Sequence, residues 1–431
     1  MATGYPTAST ATATTSVTDL YKKQNTDVEI AIKLMTEEAD WFQEYPRNRI
    51  VLSANENRVP LVLTQPLPAA FIPEGGKESI MSTPSPTHGT FLPVQMNKRH
   101  GFTALGQAYD SRAAAGMIEN QLTYQANMSG YGMGWTLGLN TWGTSVGTVA
   151  KIRTTGTAGT AQSLILGSAF GSSTFVAGGD GGVQDTYLSS LFRVGTRIAL
   201  IRSGAIVEFA TVTASPGASG VGTVDATFTS SITPTAGDLI VNAMADADVT
   251  ITGTDYNNAA YGFTDFLTGQ PLGVSSTTYP KWTVGSSQTA SQRLSFSVKE
   301  RMINECFIAG GGTINRFAMP FGVRRDAISG ELGGRRYDSS ETDIEGDIKA
   351  GSGQKYYYSQ LVPPNTLVGW YDKAIQKVEL SSQQTGATAK SVFKLDKIQG
   401  VSATAAYYDW FYQRIPTSLA LTGYATNLIS A

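Results

Sequence analysis

Val59-Pro-Leu-Val-Leu63, then Phe71-Ile-Pro-Glu-Gly-Gly-Lys77, then Phe91-Leu-Pro-Val-Gln-Met-Asn97 form the stretch on which the reading of this chain turns. The first run is strand-like and meets a break at 71–77. The tract from Ser79 to Thr90 is too rich in Ser, Thr and Pro for a central strand, because proline donates nothing to a ladder. The return run sets Leu92, Val94 and Met96 on one face of a strand. Beyond Gly101, Asp110-Ser-Arg112 gives an N-cap signal for a helix expected to run to about Ser129. Ala114, Met117, Ile118, Gln121, Leu122, Tyr124 and Met128 share one arc of it, with Arg112, Glu119, Asn120, Thr123 and Asn127 opposite. A two-stranded arm with so few core residues is not stable alone in water. It must lie on another part of the chain or on a neighbouring subunit.

At 431 residues the chain has room for two or three domains and a sizeable core. Lys and Arg number 32 against 34 Asp and Glu, a net charge of -2, which argues against a protein that grips nucleic acid by its phosphates. A single cysteine, Cys306, excludes an internal disulfide framework and fits a reducing compartment. No basic segment followed by an apolar one opens the chain, and no apolar run reaches about 18 residues. Neither a signal peptide nor a membrane span is therefore expected, and the protein is read as soluble.

The Thr/Ala/Ser tract of the first 18 or so residues shows no periodicity. Next come a capping box, Thr26-Asp-Val-Glu29, and a helix to about Glu44 ahead of Pro46. Val28, Ile32, Met35, Ala39 and Phe42 make one apolar stripe, while Ile30, Leu34 and Trp41 make a second, nearly opposite. Such a helix is expected to be covered on both sides, so Val28, Ile32, Met35, Trp41 and Phe42 are candidate interface residues. Gly130 to Gly138 could be taken for a nucleotide loop. It lacks the Lys-Ser/Thr of a P-loop and follows a helix rather than a strand, so it is read as close packing. From about Ser145 to Thr250 strands are expected at Thr148–Arg153, Ser163–Leu166, Arg197–Arg202, Ile206–Thr213, Thr223–Phe228 and Asp238–Asn242, a small antiparallel barrel or sandwich. Near Leu294 a helix presents Val298, Met302, Ile303, Cys306 and Phe307 on a broad side and stops at Gly310-Gly-Gly312. A strand over Thr313–Met319, a short helix from Pro320 to Ile328, and strands at Thr366–Tyr371 and Ala374–Leu380 follow. The segment from Ser391 to Ile429 is β-rich and aromatic.

Catalytic chemistry finds little footing. Two histidines, His88 and His100, and one cysteine cannot supply the three or four ligands of a His/Cys metal site. Cys306 reads as a buried small hydrophobe. The acidic run Asp338, Glu341, Asp343, Glu345 and Asp347 lacks EF-hand spacing and is read as a solvated loop. Arg324-Arg325 and Arg335-Arg336 read as surface or interface salt-bridge donors. No enzyme activity, catalytic residue, cofactor or metal is expected.

Ile72-Pro-Glu-Gly-Gly-Lys77, Thr90-Phe-Leu-Pro-Val94 and Tyr109-Asp-Ser-Arg112, together with the order helix, glycine stop, strand, proline, helix over 294–328, resemble the major capsid proteins of tailed bacteriophages. The resemblance implies an α+β, Hong Kong 97-type fold with an inserted small antiparallel β domain. Its parts would be an N-terminal arm (1–45), an extended loop with flanking strands (46–104), the spine helix of a peripheral domain (105–144), the insertion (145–250), an axial domain (251–390) and returning peripheral strands (391–431). It further implies self-assembly as hexamers and pentamers into an icosahedral head shell around double-stranded DNA. Partners would be scaffold, portal and decoration proteins, with weak non-specific contact to packaged DNA and no membrane. The arm helix would strap neighbouring subunits, and Glu74, Gly75, Gly76 and Lys77 would form the loop tip that seats on a neighbour. Some members cross-link a loop lysine to a neighbour's asparagine. Lys77 stands at that place, but Glu74 and Lys77 equally read as a polar turn, and a non-covalent shell is expected. Two other readings are an encapsulin-like nanocompartment shell and a β-rich receptor-binding or adhesin protein. The repeats expected of an adhesin shaft are missing from the sequence.

Overall fold

The computed structural model describes residues 45–46, 57–61, 63, 87–103, 132–168, 183–243, 259–268, 271–320, 322–325, 327, 354–379, 393–397 and 403–428. It mixes helix and strand: a two-stranded pair, a sheet of four strands, a sheet of five strands and a closed barrel.

β1 (Asn57–Leu61) pairs antiparallel with β2 (Thr87–Phe91), the root of the expected arm. Burial alternates along β1, so Asn57, Val59 and Leu61 face inward while Arg58 and Pro60 face out. Pro60 is tolerated because β1 is an edge strand. The root lies on its own chain: a side chain at Gly89 would run into Leu272. β3 (Val94–Thr103) then pairs antiparallel along its whole length with β16 (Ala403–Pro416). β14 (Ile375–Glu379) and β15 (Phe393–Lys397) pair with β16 as well. Leu92 does not share the face of Val94 and Met96; it sits in the break between β2 and β3 and is 59% exposed.

β4 (Thr148–Ile152), β5 (Gly159–Ser168), β6 (Arg197–Arg202), β7 (Ala205–Ala214), β8 (Thr223–Ile232) and β9 (Leu239–Asn242) close into an antiparallel barrel in the order β4-β5-β8-β7-β6-β9. They lie where alternation and turn chemistry place them in the sequence. The two-residue β6–β7 turn has positive φ at both Ser203 and Gly204, the twist that a tight hairpin needs. Ile152, Leu164, Leu166, Ile198, Leu200, Val212, Val224 and Ile240 belong to the main core. Asp238 ties one end: its carboxylate accepts from Arg202 Nε and a terminal guanidinium nitrogen at 2.8 and 2.7 Å, and from the Thr235 N–H at 2.7 Å. Between β5 and β6 runs a helix (Val183–Ser190) that the sequence pattern does not announce. Its Leu188, with Leu191 and Phe192 just beyond, is buried in the same core.

Residues 132–142 are helical and form α1; the helix of Val183–Ser190 is α2, Phe263–Thr268 is α3 and Phe296–Gly310 is α4. The 130–138 segment is thus helical over its described part, and nothing lies within 4 Å of where a Gly132 side chain would begin. Close packing does not explain that glycine. Burial of Met133, Leu137, Leu139 and Trp142 holds the helix against a cost of about 1 kcal/mol for an interior glycine.

The second sheet runs β10 (Ser286–Thr289), β17 (Thr422–Thr426), β13 (Leu367–Trp370), β11 (Arg316–Met319), β12 (Lys355–Tyr358). The segment after residue 390 therefore divides: β15 and β16 join one sheet and β17 the other, while β14 from before 390 joins β16. The 3-10 turn Leu419–Leu421 makes the switch. Of the expected strand Thr313–Met319 only β11 forms, and helical residues 322–325 follow Pro320. α4 crosses this sheet with Val298, Met302, Ile303 and Cys306 buried, as its period predicts. Phe307 departs from that side and is 55% exposed, because it lies beyond the edge of the arc centred on Met302.

α4 can approach so closely because the sheet is notched: Met302 lies against Gly369 and Gly423, and a methyl group at Gly285 would collide with the Ala420 carbonyl oxygen and the Cys306 sulfur. Gly285 also donates its N–H to the Thr422 carbonyl at 2.9 Å. Backbone on one side cannot yield as a side chain can. Gly285→Ala is therefore expected to cost about 1–3 kcal/mol, read as a lowered unfolding midpoint in denaturant. A stability equal to the parent would contradict this packing.

Candidate functional site

The residues singled out as an interface in the sequence, Val28, Ile32, Met35, Trp41 and Phe42 of the arm and Glu74, Gly75, Gly76 and Lys77 of the loop tip, lie outside the described residues. So do the helix expected from Asp110 to Ser129, the acidic run 338–347 and the glycine run 178–182. His88 is exposed on β2, and His100 pairs with Ala406 across β3 and β16. Cys306 is buried, and burial pushes its thiol up to about 12. A thiol so held is not a thiolate at neutral pH. Among the described residues no group of three or more His, Cys, Asp or Glu could hold a metal ion.

The most concentrated buried polar chemistry of the described structure sits where α1, α3 and β16 meet. Arg414 of β16 is 1% exposed, and its guanidinium donates to Thr141 Oγ1 at 2.6 Å and to the Asn140 side-chain oxygen. Tyr412 donates its hydroxyl to the same Asn140 oxygen at 3.3 Å, while Asn140 Nδ2 donates to the Ala260 carbonyl at 2.8 Å. The neighbouring Gln413 accepts the Tyr261 N–H and donates to the Leu92 carbonyl, both at 2.9 Å. Strand alternation explains the division of labour: Tyr412 and Arg414 reach α1 on one face, and Gln413 reaches the chain on the other.

Asp265, in the first turn of α3, completes the junction. Its Oδ2 accepts the Ser145 N–H at 2.6 Å and the Gly262 N–H at 3.0 Å. Ala259 donates to the Ser145 carbonyl at 3.0 Å, and Thr264 Oγ1 to the Trp142 carbonyl at 2.8 Å. The two ends of the segment that holds the barrel are thus fastened together at one point. Stacked Trp142 and Phe263, with Phe263 against Trp370 at 5.3 Å, carry the contact on to the five-stranded sheet.

Burial pushes the Asp265 carboxyl up to about 6, opposed by the Gly262 and Ser145 N–H groups and the Arg414 charge. Burial likewise lowers Arg414 from the ordinary guanidinium value, countered by Tyr412, Tyr45 and Asp265, and burial raises the Tyr45 and Tyr412 phenols. Ser145 Oγ also donates to Asp265 Oδ1 at 3.4 Å, so the arrangement is a network of side chains and backbone closed on itself. What it can do is fix the angle between helix, sheets and barrel. No local sequence signal points to it, since Asn140 and Arg414 stand 274 residues apart.

No protein-family model matches the chain, and no curated protein matches it. Solved structures similar to it include the cyanophage A-1(L) capsid asymmetric unit, with a TM-score of 0.47 at 8% identity over 90% of this chain and 92% of that one. The capsid of the native GTA particle follows at 0.44 and 9%, covering 91% of each chain. The satellite phage P4 procapsid including size determination (Sid) protein gives 0.41 and 7%, over 100% of this chain and 94% of that one. All three are capsids or procapsids. Among the described residues, no helix is long and apolar enough to cross a membrane.

Two outcomes test the junction. Arg414→Ala leaves the buried Asn140 and Thr141 oxygens without their donor and is expected to cost about 1–3 kcal/mol, seen in denaturant unfolding. For pH, the folded-state value of Asp265 stands above its ordinary 3.8. The folded protein therefore holds a proton that the unfolded chain has released, and this contribution is fully present below 3.8 and lost as pH rises through about 6. Asp265→Asn should flatten that part of the melting-temperature profile between pH 4 and 7. An unchanged slope would place the titration elsewhere.

Proposed function

We propose that this chain is the major capsid protein of a tailed bacteriophage, a structural rather than catalytic protein that assembles into an icosahedral head shell around double-stranded DNA. The observation that carries the reading is the pairing of β3 with β16. A strand leaving the arm root and a strand from the chain's last thirty residues zip together over ten positions, with α1 pinned beside them through Arg414. Four strands between them, with β17 just beyond β16, build a separate five-stranded sheet crossed by α4. These features support a reading in the order of arm, spine helix, axial domain and returning peripheral strand that the sequence resemblance implies for the Hong Kong 97-type layout. In that layout the barrel is an inserted lobe on the outer surface, and fastening of Ser145 to Ala259 suits an insertion whose ends lie together.

The proposed mechanism is geometric. The arm helix of Val28, Ile32, Met35, Trp41 and Phe42 straps a neighbouring copy, and the loop tip Glu74–Lys77 seats on another. Hexamers and pentamers then close a shell, with scaffold, portal and decoration proteins as partners. A net charge of -2 on 431 residues lets packaged DNA touch the wall without binding it tightly. Arms that bury their apolar surface only on neighbours link assembly to stability by mass action.

Sedimentation velocity of the expressed chain, alone and with a scaffold, should show species of many copies. Deletion of 1–44, which spares the buried Tyr45, should keep the described fold while those large species fall away. A full-length protein that stays monomeric over a wide concentration range, with or without a scaffold, would end the shell reading. A truncated chain that assembles normally would end the strap role.

A further inference from the structure

Six large apolar side chains are exposed among the described residues, and three of them belong to α4: Phe296, Phe307 and Ile308, at 69, 55 and 84%. The opposite side of the helix is spent on the five-stranded sheet. At about 100° per residue, Phe296, Glu300 and Phe307 line one flank of the exposed side, and Arg301 and Ile308 line the other, roughly 100° around. Lys299 Nζ approaches the Phe296 ring at 5.5 Å but is itself buried and hydrogen-bonded to the Tyr356 hydroxyl. The Arg301 side chain is 71% exposed and bonds Glu305 through Nε at 2.8 Å, which engages one of its five donors. Each flank therefore joins large apolar surface to a polar group of its own kind: Glu300 offers a carboxylate, and Arg301, paired with Glu305, keeps four donors beyond that bond.

We propose that α4 is a contact between copies of this chain, in which the Phe296–Glu300–Phe307 flank of one copy meets the Arg301–Ile308 flank of the next. The inference rests on the shell reading and adds the surface and the symmetry of the contact. Ile308 lies between phenyl rings while Arg301 comes within reach of Glu300. A two-fold contact centred on the first flank would set Glu300 against Glu300, and like charges pressed together in an interface are strongly disfavoured; one centred on the second would offer the Arg301 donors only carboxylates that already hold an arginine and leave Glu300 unmatched. Two different flanks make a heterologous contact, and such contacts close into rings when the rotation allows.

The test uses the full chain with Glu300→Arg and Arg301→Glu, each alone, mixed in equal amounts, and combined in one chain. Rings are counted by electron microscopy and native mass spectrometry, and melting temperatures report the fold. Each single variant should lose assembled rings by about ten-fold or more. The mixture should recover rings of even copy number, because alternating the two variants sets opposite charges against each other at every contact. The double variant should recover rings of any size. Ile308→Ser, at a position too exposed to weaken the core, should reduce rings without lowering the melting temperature. Single variants that assemble as the parent does would overturn the contact, whether the ridge is then covered by another protein, by this chain or by solvent. So would a mixture of two well-folded variants that fails to recover. A parent chain that forms no ring of any size would instead overturn the shell reading, and this contact with it.

Discussion

Arg414 is a full positive charge held at 1% exposure, and the described fold is arranged so that this charge can exist there. Thr141 and Asn140 meet it from α1, and the Asp265 carboxylate answers it from α3. A buried ion of this kind is weak as a source of net stability, since desolvation offsets most of the attraction. Its value is in uniqueness: a helix slipped by one residue would leave the guanidinium without acceptors. The geometry among α1, β16 and α3 is therefore specified by polar pairing and filled by apolar packing, not the reverse.

Rigidity at that point matters for what surrounds it. The barrel leaves and rejoins the rest of the chain where Asp265 holds Ser145 and where Ala259 closes on Ser145. The five-stranded sheet is reached through Trp142, Phe263 and Trp370. On the shell reading proposed above, a subunit that meets several neighbours at fixed angles would need its lobes fixed relative to one another, because angular error multiplies around a closed shell. Low charge density serves the same end, with 15% of residues charged, since broad faces can then be covered without burying unpaired ions.

Local order is legible in the sequence and long-range order is not. The barrel strands can be placed because turn residues such as Ser203-Gly204 punctuate alternating runs. α4 can be placed because Val298, Met302 and Cys306 recur at the helical period. α2 escapes because it is eight residues long and follows a glycine run. The departure of β17 from β16 into another sheet turns on Leu419–Leu421, three residues with no punctuation of their own. Nothing in Tyr407–Arg414 announces that one of its members carries a buried charge, because its acceptors arrive from the other half of the chain. Hydrophobicity alone puts Phe307 in the buried arc of α4, yet the boundary of that arc is set by the sheet beneath it. The candidate interface of arm and loop tip falls outside the described residues, so the sequence reading remains its support.

The claim that this subunit exists to tile a closed surface is tested most directly by electron microscopy of the purified, assembled protein with symmetry-free averaging. The account predicts closed particles whose averages show five-fold and six-fold rings of identical subunits, with the barrel lobes on the outside. Dispersed single subunits, or open fibres without five-fold vertices, would contradict it.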